Sequence, residues 1–182
     1  RTAARDGTLV LLGAPVQCLK SARLSHLHLH GDEVTKWFLP VPNPKFAPDE
    51  WPGALVFAAT ILGEAAGEPM EGKRAVAAVV MNRVRDERWP DRPEDVCLQR
   101  LQFSCWNVGS PTLPRMFNPK QFVSEETWSD CLRSALEASW GAADETGGAN
   151  HYLNPRSLPS VPSWASEDKI VARIGRHVFY RL

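Results

Sequence analysis

The chain lacks a net charge: 21 Lys and Arg balance 21 Asp and Glu. No bulk field therefore draws it toward nucleic acid. No apolar run reaches the roughly 20 residues that cross a bilayer. The opening RTAARDGTLVLLGAPV is too short and too interrupted for the apolar core of a signal peptide. Since the first residue is Arg rather than Met, a removed leader is compatible with it. Cysteine is sparse, with Cys18, Cys97, Cys105 and Cys131 scattered and no C-x-x-C among them. That excludes a disulfide framework and gives a structural zinc site no spacing support. Buried free thiols are expected, with a Cys97–Cys105 bridge as the alternative outside the cytosol. A G-x-S-x-G elbow is absent, so a serine triad cannot be argued. Internal repeats and low-complexity tracts are missing too. Tyrosine numbers only two, against seven tryptophans. Flat rings with a polar edge suit stacking on sugar faces, although core packing is their ordinary role.

What remains is an ordinary globular composition, 43% hydrophobic and 23% charged over 182 residues, enough for one domain with an extension. Residues 1–47 differ in texture from the rest. TLVLL, LSHLHLH and VTKWFLPV suggest a β-hairpin, and Pro40, Pro42, Pro44 and Pro48 a stiff extended linker that cannot be helical. A boundary is placed near Ala47, leaving 48–182 as the main domain. That domain reads as mainly helical. PGALVFAATILGEAAG (52–67) is apolar on every side, as in a buried helix. A second helix covers about 70–85. Pro93 opens a short one through PEDVCLQ, and Ser124 caps a longer amphipathic one that Gly141 stops. The last segment, KIVARIGRHVFYRL, alternates well enough to include a strand. The fold class is α+β, mainly helical, and a monomer is expected.

Within the apolar 52–67 stretch the only charged residue is Glu64. Removing an ionised carboxylate from water is costly, so a lone buried Glu tends to keep its proton. A protonated carboxylic acid is what glycosidic cleavage needs as general acid. The alternative is an internal ion pair with Arg74 or Arg83. Glu68 and Glu71 are candidate second carboxylates; a separation of about 5 Å would retain anomeric configuration and about 6.5–9.5 Å would invert it. Because Gly67 and Pro69 end the helix between Glu64 and Glu68, Glu68 is expected on the rim.

Two further segments, QFSCWN (102–107) and HYLN (151–154), read as loops offering amides, hydroxyls and ring faces, as a sugar cleft does. A Cys105/His151 peptidase is the rival enzyme, although it leaves Glu64 without a role. A non-catalytic sugar-binding module, suggested by the tryptophans, is the third reading. His26, His28 and His30 alternate as H-x-H-x-H. They offer either a zinc site short of a fourth ligand or, more simply, one polar face of an edge strand.

AATILGEAAGEPMEGKRAVAAVVMNRV (58–84), QFSCWN, TGGANHYLNP (146–155) and IGRHVFYR, in this order, resemble the cell-wall hydrolase family of spore cortex-lytic (SleB-type) enzymes. The resemblance covers the second part of the chain and none of residues 1–47. It implies a lysozyme-like catalytic domain of the goose-type or transglycosylase kind. It also implies peptidoglycan as substrate, cut between N-acetylmuramic acid and N-acetylglucosamine without metal or other cofactor. The family's catalytic Glu falls on Glu64, and the cleft on Gln102, Phe103, Ser104, Trp106, Asn107, His151, Tyr152 and Asn154. A lytic transglycosylase giving 1,6-anhydro ends is implied, with a muramidase as the alternative. The implied site of action is the bacterial wall, with a bacteriophage endolysin delivered through a holin, or a remodelling enzyme, as the expected kinds. A Thr commonly follows the Phe in the spore enzymes where this chain has Ser104.

Overall fold

The computed structural model describes residues 39–182. The expected N-terminal hairpin, the H-x-H-x-H strand and Cys18 lie outside the described residues. Six helices and a small sheet follow one another: α1 (Gly53–Ala65), α2 (Met70–Val84), α3 (Pro93–Leu98), α4 (Leu113–Phe117), α5 (Pro119–Phe122), α6 (Glu125–Ser139), then β1 (His151–Leu153), β2 (Ile170–Ile174) and β3 (His177–Tyr180). The mainly helical α+β class is the one expected.

Helix α1 runs through the middle of the domain, against α2, α3, α4 and α6. Its apolar residues face all sides because every side is covered: Val56, Phe57, Ala58, Ala59, Ile61 and Leu62 are buried together. Each large aliphatic or aromatic side chain so removed from water contributes about 1.5–3 kcal/mol. Pro69 precedes α2, as the missing N–H of proline allows. Pro93 occupies the first turn of α3. The Ser124 hydroxyl accepts from Thr127 N–H at 3.1 Å to cap α6, and Gly141, at φ 87°, ends it. Lys73, buried on α2, donates to the Glu68 carbonyl at 2.7 Å and lies 3.5 Å from Asp130 on α6.

Two expectations are corrected. The proline-rich segment is not a bare linker: Leu39 and Val41 pack on the core, Pro42 is buried, and the Pro40 carbonyl accepts from the Trp128 indole at 2.9 Å. Pro48 opens a 3-10 turn, Pro48–Glu50, because a first-turn proline forfeits no hydrogen bond. HYL, read as loop, is strand β1. The sheet is antiparallel with β3 in the centre. All four β3 residues are buried, since both faces are covered. Phe179 packs with Ala75 and Val79 of α2, whereas Val178 and Tyr180 pack with Trp164 and Ala165. Tyr152 stands opposite Phe179 and shares its face.

Gly175, at φ 59°, opens the two-residue turn between β2 and β3. A Cβ there would collide with the Glu68 carboxylate. That carboxylate is the reason for the close approach: it accepts from Arg176 N–H at 3.0 Å and from Arg176 Nε at 2.6 Å. Glu68 is therefore not a rim residue but a buried staple from the α1–α2 turn to the hairpin.

Candidate active site

Glu64 sits one residue before the end of α1, half-buried at the wall of a cleft of about 350 Å³. Arg83, Leu101, Gln102, Ser104, Tyr152, Leu153, Asn154, Ser157, Leu158 and His177 complete the lining. Among the described residues, Glu64 is the only acidic side chain in this lining. Neither arginine offered as its ion-pair partner holds it. Arg74 bonds Glu137 at 2.9 Å, and Arg83 donates from Nε to the Asn150 carbonyl at 2.7 Å.

Two neutral donors fix the Glu64 carboxyl instead. Cys105 N–H reaches Oε1 at 3.2 Å and the Tyr152 hydroxyl reaches Oε2 at 3.0 Å. The first depends on Gly63, where a Cβ would lie 2.6 Å from Cys105 Cβ and 2.7 Å from Met116 Sδ. Only a glycine lets the 102–107 segment close onto α1 at this point. The second depends on strand register, which sets Tyr152 on the α2-facing side of the sheet. Burial, and then neighbouring Glu64, push the Tyr152 phenol well above its ordinary value. It stays protonated and donates. Arg83 is buried, with its guanidinium carbon 5.1 Å from the Phe103 ring centroid and 5.6 Å from that of Trp89. Burial lowers its pKa, partly offset by Tyr152, Cys97 and Glu64.

Of the residues expected at the cleft, Gln102, Ser104, Tyr152 and Asn154 are brought to Glu64. Four are not. Phe103 is buried beneath Arg83, and the Trp106 indole donates to Thr60 at 2.9 Å while its ring meets Trp51. Both follow from the 3-10 turn Ser104–Trp106, in which residues three apart share a side. Phe103, Trp106 and exposed Asn107 line a neighbouring apolar groove. His151 points to the other face of β1, between Trp89 and Trp164, as alternation from Tyr152 requires. Burial, then Arg83 and Arg88, hold it down at about 4, so it is neutral. Sequence reasoning missed Leu101, Leu153, Ser157, Leu158 and His177 at the cleft, and gave Arg83 only as an ion-pair partner. His177 was within reach, because it lies two residues before Phe179 on the same strand face. Its buried Nδ1 has no partner, and burial keeps the ring below its ordinary value against the pull of Glu68 and Glu64.

Cys105 is buried, and burial, followed by Glu64, pushes its thiol far up. Such a thiol supplies no thiolate nucleophile, and its ring partner in the peptidase reading is the displaced His151. Cys97 and Cys131 are likewise buried, each pushed up to about 12 by burial. Trp51 and Trp128 belong to the core, and none of the described tryptophans lines the Glu64 cleft.

A family model described as Cell Wall Hydrolase matches residues 67–180; Glu64 lies just before that span. The chain is 33% identical over 124 residues to the spore cortex-lytic enzyme of Halalkalibacterium halodurans, covering 68% of this chain and 33% of that protein. It is 29% identical to the Bacillus subtilis spore cortex-lytic enzyme, again over 68% of this chain, and covers 36% of that protein. It thus spans about a third of the length of these curated relatives. The solved catalytic domain of the germination-specific lytic transglycosylase SleB from Bacillus anthracis superposes with a TM-score of 0.55 at 27% identity, covering 74% of this chain and 100% of that one. The likeness bears out the lysozyme-like, mainly helical α+β fold expected from the sequence.

Proposed function

Because this chain belongs to the cell wall hydrolase family, we propose that it degrades peptidoglycan at the bacterial wall. Its target is the β-1,4 bond between N-acetylmuramic acid and N-acetylglucosamine, and Glu64 is the proton donor. One observation carries this reading: a carboxyl held by no arginine, oriented by a backbone N–H and a phenol, opens onto a cleft with no second acid among the described residues. A protein nucleophile at retaining distance and a general base at inverting distance both need that second carboxylate. Its absence from the described lining favours a route in which the substrate assists itself. Glu64 gives its proton to the glycosidic oxygen as the bond to the muramic C1 breaks. The muramic N-acetyl group shields the cationic carbon. The sugar's own 6-hydroxyl oxygen then bonds C1 and returns its proton to Glu64, leaving a 1,6-anhydro end. The Tyr152 hydroxyl and Cys105 N–H stabilise the negative charge that Glu64 carries between the two transfers.

Glu64→Gln keeps the shape and removes the acid. It is expected to lower release of soluble fragments from purified sacculi by about 10²–10⁴-fold, with an unchanged melting temperature. Retained activity in that variant would end this reading. Mass spectrometry of wild-type digests distinguishes the chemistry: ends lighter by one water mark the transglycosylase, and reducing ends mark a muramidase.

A further inference from the structure

Behind His177 lies a second cavity, of about 280 Å³, that the proposed glycan chemistry does not use. His177 lines both this cavity and the Glu64 cleft, so the two share a wall. Three arginines converge on the second cavity from three segments: Arg156 from the 3-10 turn after β1, Arg173 from β2 and Arg176 from the β2–β3 turn. Among the described residues, no acidic side chain lines it. The charges are not equally committed. Arg176 is held by Glu68 and by the Gly67 carbonyl at 2.6 Å. Arg173 meets Glu167 at 3.2 Å, with both side chains largely exposed, at 58% and 87%; such a pair contributes little and exchanges readily. The Arg156 guanidinium makes no hydrogen bond or ion pair among the described residues.

Resting on the glycan-cleaving reading, we propose that this cavity binds a carboxylate of the stem peptide that branches from the muramic acid in the cleft. The planar guanidinium matches a carboxylate with two parallel hydrogen bonds. Since His177 lines both spaces, a substituent that leaves the Glu64 cleft past His177 reaches the arginines.

The test uses the full chain and an Arg156→Gln/Arg173→Gln variant on two substrates. One is sacculi freed of anionic wall polymers with stems intact; the other is the same glycan stripped of its stems by an amidase. Both arginines are exposed, and equal melting temperatures verify the fold. The expected result is a KM on stem-bearing strands raised about tenfold in the variant, the size of one lost charge-assisted bond. Its kcat, and both constants on stripped strands, stay at wild-type values. An unchanged KM on stem-bearing strands, or an equal rise on both substrates, overturns the site. So does an effect that arises only when phosphate-bearing wall polymers are left in place. No cleavage of either substrate by the wild-type chain is a different result, and it sinks the glycan-cleaving reading together with this site.

Discussion

Replacing Tyr152 with Phe isolates the role assigned to one hydroxyl. The ring makes its contacts without that oxygen: its centroid lies 5.1 Å from that of His177 and 5.7 Å from that of Phe179. Strand pairing of β1 with β3 uses the backbone alone. The change should therefore cost little stability, under about 1 kcal/mol, because Glu64 borders an open cleft and water can take the vacant place. Catalysis is different. The 3.0 Å bond from Tyr152 to Glu64 strengthens as Glu64 gains negative charge, so its loss falls on the transition state. A hydrogen bond to an ionised group contributes about 1.5–3 kcal/mol, which corresponds to roughly 10- to 100-fold in kcat. Cys105 N–H, at 3.2 Å, remains and sets a floor to the loss. The assay is release of soluble fragments from sacculi under saturating substrate, alongside a thermal melt. A Tyr152→Phe variant with wild-type kcat would refute the idea that this hydroxyl stabilises the spent acid. A variant whose melting temperature collapses would show that the hydroxyl holds the fold instead.

Gly63→Ala places a methyl group 2.6 Å from Cys105 Cβ. It is expected to destabilise by about 1–3 kcal/mol, seen as a lower melting temperature, and to reduce activity in the surviving fold by displacing the Cys105 N–H. Burial pushes the Glu68 carboxyl up, but the backbone and side-chain bonds from Arg176, with His177, outweigh it and hold the group below its ordinary 4.5. A depressed folded-state value contributes stability that is complete above pH 4.5 and lost as pH falls below it. Glu68→Gln should remove about 1–2 kcal/mol at neutral pH, roughly 2–8 °C in melting temperature, and flatten the acid limb of a melting-temperature series. With Cys97, Cys105 and Cys131 buried and their thiols pushed up, an alkylating reagent at pH 8 should leave activity intact until the protein unfolds. Rapid inactivation by such a reagent would revive a cysteine nucleophile.

The helices were legible because their signals are local. An all-round apolar stretch gave α1, prolines opened or preceded helices, and Ser124 and Gly141 bounded α6. Local signals also misled. QFSCWN and HYLN look like open loops, yet a 3-10 turn drives Phe103 and Trp106 inward, and strand alternation carries His151 to the face opposite Tyr152. The same alternation, applied to RHVFY, would have put His177 beside the cleft.

Glu64 could be singled out from sequence because a lone acid in an apolar helix contradicts its surroundings over a few neighbouring positions. Its environment could not. The donors that orient it come from Cys105 and Tyr152, 41 and 88 residues away. Glu68 became a staple only by meeting Arg176, 108 residues on. Periodicity and capping depend on residues within a turn or two, so the chain itself fixes where helices start and stop. Which side chains meet across such separations depends on packing that admits no Cβ at Gly63 and on a β-register that assigns each residue its face, and these exist only once the whole core has closed.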